Sequence, residues 1–378
     1  MIADAASGAE RSRDRRFMAI ALGLARSQLG LTSPNPCVGC VLVRAGKIIG
    51  RGATAAGGRP HAEAVALAQA GARARGATAY VSLEPCAHQG KTPPCARALV
   101  QAGVVRVVIG CLDRYPAVHG RGAAILRRAR IEVTVGVRED ECTALSEGFF
   151  ARVARGRPFG LLKLAISLDG RIAAASGDSK WISSKDSRAL VHRWRRECDA
   201  VVVGAGTVIA DNPRLTCRIE GGRDPIRVIV DARLRISPSA LALTEPSAAG
   251  AIIVTTRANL ARARRRYGGP RVEIIAIASK GSGIDLASMA REFGRRGWNK
   301  ILFEGGAHLA GAALAAGVID RAAFFVAPKI VGAGLGAIEG LATARISDAI
   351  TLEDLSVQQV GADLLIEGRP RTRKRRFA

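Results

Sequence analysis

The stretch LEPCAHQGKTPPC (83–95) decides how the first half of the chain is read. Eight residues separate its Cys86 from its Cys95, whereas cysteines that share a metal ion usually sit two to four residues apart. Upstream stands His61-Ala62-Glu63. One histidine and two cysteines (His61, Cys86 and Cys95) make a three-ligand zinc set. Such a set leaves a fourth tetrahedral position for water, whose pKa the ion lowers. Glu63 suits a proton shuttle that takes a proton from water and hands it to a departing amine. Residues two apart do not share a face of a regular helix. His61 is therefore expected at the very start of one, before the backbone turns helical. Cys86 and Cys95 are expected at or near helix starts as well, where the positive end of the dipole favours thiolates. A closed structural site would want a fourth protein ligand. His88 is the only local candidate, and Glu63 has no role in such a site.

Working outward, CVGCVLV (37–43) and KIIGRG (47–52) flank a tight turn and read as a β-hairpin. HAEAVALAQAG (61–71) reads as a helix capped by Gly71, and TAYVSLEPC (78–86) as a strand that runs into the quoted loop. PPCARALVQAG (93–103) opens a helix with prolines, VVRVVIGCLD (104–113) is a buried-type strand, and a helix and strand follow within 122–137. Strands alternating with helices predict an α/β layered sheet. The basic, turn-rich VARGRPFG (153–160) marks a boundary, after which the alternation restarts through LLKLAISLDG, AVVVGAGTV, RVIVD, AIIVTT, VEIIAIA and ILFEGG. The expected domains are 1–152 and 153–368, followed by a basic tail at 369–378. No internal repeat links the halves.

Composition narrows the function. The chain has 378 residues, 48% hydrophobic and 24% charged, which fits two globular domains. Its formal net charge of +25 predicts attraction to anions such as nucleic acid, acidic lipid or phosphorylated small molecules. Part of that charge is local, in RPRTRKRR (369–376) and RSRDRR (11–16), which read as solvated ends. Aromatic residues are only 4%, leaving few platforms for stacking bases, which argues against a nucleic-acid partner. Eight cysteines scattered from 37 to 217 do not form a secreted disulfide framework and imply a reducing compartment. RDRRFMAIALGLA (13–25) has a signal-like look, but Arg26 and Gln28 follow at once, so an amphipathic first helix is expected. No apolar run reaches transmembrane length, and a cytoplasmic protein without membrane contact is expected.

The pattern H-x-E…P-C…C is that of zinc-dependent nucleobase deaminases. Beyond it, SPNPCVGC (33–40), HAEAVAL (61–67), LEPCAHQGKTPPC (83–95), KLAISLDGRIA (163–173), GAGTVIADNPRLTCR (204–218) and FEGGAHLAGA (303–312) together resemble one family. That family is the bifunctional deaminase-reductases of riboflavin biosynthesis, and the resemblance runs from about Phe17 to about Gly368. The long gap between the cysteines is its most specific mark. The resemblance implies an α/β chain with an N-terminal cytidine-deaminase-like three-layer domain and a C-terminal dihydrofolate-reductase-like domain. It implies one Zn²⁺ per chain, NADPH, a phosphorylated small-molecule substrate, and a homo-oligomer formed through the reductase domain.

The resemblance also assigns residues. Asn35 matches a substrate-contacting asparagine of the deaminase half. From their own position in the zinc loop, His88 and Lys91 are expected to reach the ribosyl-phosphate portion of the family's substrate. In the second half Ala165, Trp181, Thr207, Asp211, Gly305, Gly306 and Gly311 correspond to cofactor contacts. Ser179, Arg195, Leu215, Arg218 and Glu304 correspond to substrate contacts, with Lys163 and Asp169 nearby. Arg195 and Arg218 suit a phosphate as bidentate donors. GAGTV (204–208) and EGG (304–306) alone are weak phosphate signals. One departure stands out: the family pattern D-P-N-P is Asp113-Arg114-Tyr115-Pro116 here, so Tyr115 takes the place of a substrate-contacting asparagine. A phenol hydrogen-bonds but lacks the amide's paired donor and acceptor. The rival readings are a nucleic-acid base deaminase with a basic accessory domain, and a structural zinc protein that only binds polyanions.

Overall fold

A computed structural model describes residues 8–89 and 93–371. Lys91 and most of the basic tail therefore lie outside the described residues. The chain divides into two compact units, one through Gly156 and one from Arg157. The break read from sequence at 152/153 falls inside a helix that continues to Arg155 and closes on Gly156 with φ 65.

The first unit runs α1 (Gly8–Ser27), β1 (Gly39–Arg44), β2 (Lys47–Ala53), α2 (Ala62–Ala70), β3 (Thr78–Leu83), α3 (Cys95–Gln101) and β4 (Arg106–Cys111). It continues with α4 (Arg121–Arg128), β5 (Glu132–Val135), α5 (Glu139–Leu145) and α6 (Glu147–Arg155). The hairpin forms because Ala45 and Gly46 both take positive φ, 48 and 75, the geometry of a two-residue primed turn. The sheet order is β2-β1-β3-β4-β5. Its first three strands are antiparallel and its last three parallel. β3 and β4 are buried almost throughout, as parallel strands covered on both faces must be.

Glycines set the layers. A Cβ on Gly39 would lie 1.9 Å from the Ala21 carbonyl oxygen of α1, so α1 presses on one face. A Cβ on Gly52 would lie 2.1 Å from the Ala62 carbonyl oxygen of α2. Gly52 pairs with Cys40, the neighbour of Gly39 on β1, so it points the opposite way and α2 covers the other face. A buried ion pair ties α1 to β4: Arg106 donates from Nη1 and Nη2 to the two Asp14 oxygens, 2.9 Å each, and Tyr80 O–H donates to Asp14 at 2.9 Å.

The main sheet of the second unit has nine strands among the described residues. From one edge they are Val272–Ile277, Ala251–Thr256, Ile226–Val230, Ala200–Gly204, Lys300–Glu304, Phe159–Ser167, Arg321–Ala327, Asp363–Arg371 and Thr351–Val360. The first seven are mutually parallel, and the last two form an antiparallel edge. One apolar core centres on Phe293, Phe303 and Met289, and another on Ile229, Ile253 and Tyr267. Both units are α/β, the class expected. In parallel sheets ligands gather at the carboxyl ends of the strands. The ends of Ala200–Gly204, Lys300–Glu304 and Phe159–Ser167 are adjacent here.

Candidate active sites

His61 sits just before α2 with extended backbone (φ −71, ψ 157), which frees its ring from the helix. Cys95 is the first residue of α3. Cys86, expected near a helix start, lies instead in the loop after β3 and belongs to no helix. Its sulfur still reaches a helix terminus by accepting the Cys95 N–H at 3.3 Å. Cys86 Sγ and Cys95 Sγ lie 3.7 and 3.4 Å from His61 Nδ1. Tetrahedral zinc, with Zn–S near ~2.3 Å and Zn–N near ~2.0 Å, would hold nitrogen and sulfur about 3.5 Å apart. The three donors thus fit the ion, and His61 would use Nδ1, a choice that sequence spacing does not give.

Electrostatics suit the cluster. Hydrogen bonding from Cys95, opposed by burial and reinforced by His61, pulls the Cys86 thiol down to about 4, the direction that suits a metal-ligating thiolate. Sharing with Cys86, then burial, pushes the Cys95 thiol up. Glu63 is buried on the first turn of α2, and burial followed by the Cys86 charge raises its carboxyl to about 7. A carboxyl poised there can be found with or without its proton near neutral pH.

Asn35, Arg59, His88, Asp113, Tyr115, Phe149 and Arg152 line one cavity together with His61, Glu63 and Cys86. Asn35 donates from Nδ2 to the Gly58 carbonyl at 2.7 Å, which fixes its amide. Tyr115 meets His88 edge-on, ring centroids 6.0 Å apart at 77°. The residue that departs from the family pattern therefore faces the same cavity as the zinc loop. Burial first raises Asp113 to about 6.

Glu84 escaped the sequence reading. Its carboxylate is buried and accepts the N–H of Asp113 (3.2 Å), Gly120 (2.9 Å) and Ala123 (3.1 Å). It thereby clamps the Tyr115 loop and the start of α4 to the zinc loop. The one signal in the sequence was an acidic residue closing an apolar strand.

In the second unit Arg195 and Glu304 form a buried bidentate pair, Nε to Oε1 at 2.6 Å and Nη2 to Oε2 at 2.7 Å. Arg195 Nη1 also donates to the Thr216 carbonyl at 3.0 Å. Three of the five Arg195 N–H groups are thus engaged within the protein, and of the two arginines expected on the phosphate only Arg218 is exposed. Burial would raise the Glu304 carboxyl, but Arg195 holds it below its ordinary range. Lys163 pairs with Glu304 across the parallel ladder, and burial lowers its amine. Ala165 is next on the same face of that strand. Leu215 is buried in the core with φ 60.

Thr207 stands against the EGG turn. A Cβ on Gly306 would lie 2.8 Å from Thr207 Oγ1, and one on Gly305 3.5 Å from the same atom. Both glycines have positive φ, 66 and 77, and open the helix Ala307–Ala315. This is a narrow backbone cradle at a helix N-terminus, the kind of place where backbone N–H groups can meet an anion. Gly306→Val should fill it and weaken NADPH binding at least about tenfold in fluorescence titration, a loss of one phosphate contact or more; unchanged affinity would remove the cradle from the cofactor site. Ser179 Oγ donates to Asp211 Oδ1 at 3.1 Å, joining an expected substrate contact to an expected cofactor contact. Trp181 is exposed beneath the Arg188 guanidinium, 4.3 Å from its ring centre. Gly311 is buried within the helix Ala307–Ala315, where a Cβ would lie 1.8 Å from the Glu339 carbonyl oxygen, so close packing also calls for a glycine there.

Comparison with known proteins agrees on both units. Residues 11–111 match the cytidine and deoxycytidylate deaminase zinc-binding region, and residues 158–366 match the RibD C-terminal domain. The riboflavin biosynthesis protein RibD of Aquifex aeolicus is 41% identical over 94% of this chain and 98% of its own length. RibD of Escherichia coli is 38% identical over 94% and 98%. Among solved structures, a diaminohydroxyphosphoribosylaminopyrimidine deaminase/5-amino-6-(5-phosphoribosylamino)uracil reductase from Thermotoga maritima is similar. It has a TM-score of 0.83 at 37% identity, covering 95% of this chain and 99% of that one. RibD of Acinetobacter baumannii has a TM-score of 0.82 at 38% identity, covering 96% and 100%.

Fold, donor set and family matches define a zinc-dependent deaminase unit followed by an NADPH-dependent reductase unit. The rival reading as a nucleic-acid base deaminase is not favoured. The chain belongs to the RibD family, the bifunctional deaminase-reductases of riboflavin biosynthesis.

Proposed function

We propose that the first unit removes the 2-amino group of 2,5-diamino-6-ribosylamino-4(3H)-pyrimidinone 5′-phosphate and that the second then reduces the ribosyl group to ribityl. The observation that carries the first step is the buried Glu63 carboxyl in the same cavity as the His61/Cys86/Cys95 donors. Zinc, when bound to those donors, supplies the Lewis acidity that makes water a nucleophile near neutral pH. Glu63 takes a proton from the attacking water and returns one to the leaving nitrogen, so water is consumed, ammonia departs and a ring carbonyl remains. Asn35 and His88, both lining that cavity, orient the ring and sugar. Lys91, outside the described residues, is assigned to the ribosyl phosphate.

In the second unit NADPH supplies the hydride when bound. Thr207, Asp211, Gly305 and Gly306 seat it, with Ala165 and Trp181 alongside. Ser179, Lys163, Arg218 and Glu304 hold the phosphorylated substrate, and Arg195 fixes Glu304. The same protein forms a homo-oligomer through the reductase unit. Leu355 and Val357 on the edge strand Thr351–Val360 and Leu364 beside it are exposed, which supports a second copy covering that edge. Among the described residues no helix is long and apolar enough to cross a membrane, and none of the eight cysteines is paired. Both facts support a cytoplasmic setting. The scarcity of aromatics supports a small-molecule substrate rather than nucleic acid.

The test follows ammonia release and NADPH oxidation separately on purified zinc-loaded protein with the diaminopyrimidinone ribosylphosphate. Ammonia should appear without NADPH, and NADPH should be consumed only once added. NADPH oxidation that precedes ammonia release would reverse the order. Deamination of RNA or DNA at physiological salt would instead favour the rival reading.

A further inference from the structure

His192 and Arg195 lie three residues apart on the helix Lys185–Glu197 and therefore share a face. That face meets the irregular segment Leu215–Arg218. Arg195 holds the Thr216 carbonyl, as described, while Asp224 Oδ1 accepts the Cys217 N–H at 2.7 Å. His192 grips the same segment twice: its Nδ1 accepts the Arg218 N–H at 3.3 Å, and its carbonyl accepts the Cys217 S–H at 3.4 Å. The backbone of this segment is thus registered on the helix atom by atom, whereas the Arg218 side chain stands exposed with no ion pair among the described residues. A guanidinium meant to clamp a phosphate loses less entropy when its backbone is already fixed.

We propose that His192 is a positioning residue of the reductase: it fixes the backbone of Arg218 so that the guanidinium is presented to the phosphate of the substrate. This rests on the reading of Arg218 as a phosphate contact. The ring must stay neutral to accept from Arg218. Burial, then the charges of Arg195 and Arg218, holds it below its ordinary range, against the pull of Glu304 and the Thr216 carbonyl.

The experiment measures steady-state reduction of the deaminated, phosphorylated substrate by the full chain. His192→Ala should raise KM for that substrate about tenfold, the worth of one hydrogen bond. kcat should stay within about twofold, and NADPH affinity by fluorescence titration should not change. His192→Asn, which places an amide oxygen where Nδ1 stands, should restore most of the KM, a rescue that a simple packing role would not give. Arg218→Ala is run in parallel. If it leaves KM unchanged, the phosphate reading itself fails. If Arg218→Ala raises KM while His192→Ala does not, or if His192→Ala lowers kcat with KM intact, or if asparagine fails to rescue, the positioning role is overturned.

Discussion

Glu63→Gln should abolish ammonia release, by about 10²–10⁴-fold, while zinc content matches that of the parent protein. Glutamine keeps the size of the buried side chain and its capacity to hydrogen-bond, so the fold of α2 is not at risk. It lacks only the ability to take up and release a proton. The donors His61, Cys86 and Cys95 are untouched, and metal analysis of the purified variant should find about one zinc per chain. Because the reductase is a separate compact unit, NADPH oxidation on the already deaminated substrate should proceed at the parent rate. Normal ammonia release from the variant would remove Glu63 from the chemistry. A joint loss of both activities would point to misfolding rather than to a proton relay.

Arg195→Met should cost the reductase unit about 3–5 kcal/mol at neutral pH, because it strands the buried Glu304 carboxylate. Reductase activity should be lost while ammonia release persists. The pH dependence should invert as well. In the parent protein Glu304 is held below its ordinary range, so its stabilisation is present above that range and lost as pH falls through it. In the variant burial remains, opposed by the neighbouring Lys163 and, more weakly, by His192. Burial wins, the carboxyl rises above its unfolded value, and the penalty grows as pH increases. Thermal unfolding of the variant should therefore shift upward on going from about pH 8 to pH 5.5. Adding Glu304→Gln should recover most of the stability lost at pH 8, since an amide needs no counter-charge. A single variant as stable as its parent at pH 8 would refute the account.

The zinc donors and Glu63 were legible because their chemistry is local: few residue types bind zinc, and His61 with Glu63 two residues later has few other uses. The hairpin was legible for the same reason, since Ala45 and Gly46 adopt the turn that their neighbours need. What stayed hidden depends on partners distant in sequence. The pairing of Arg195 with Glu304, 109 residues away, is one that sequence spacing does not show. Glu84 reads as part of a cysteine motif until three backbone N–H groups from a later loop converge on it. The packing of Gly311 against the Glu339 carbonyl likewise depends on a partner distant in sequence. The choice of Nδ1 on His61 and the helix-free setting of Cys86 depend on backbone placement, which residue spacing constrains only loosely.

The order of strands in the second sheet has a consequence for synthesis on the ribosome. The strand Phe159–Ser167 lies in the middle of that sheet, yet its partners Lys300–Glu304 and Arg321–Ala327 are made last among the parallel strands. At about 5–20 residues per second the second partner is complete only some ten to thirty seconds after the middle strand leaves the peptidyl-transferase centre. The first sheet needs nothing beyond β5, so a nascent chain presents a finished deaminase unit beside an apolar strand, FGLLKLAIS, with both hydrogen-bonding edges bare. That interval is when the protein is most exposed to wrong pairing with other chains, and it is when a holding chaperone would have the most to shield.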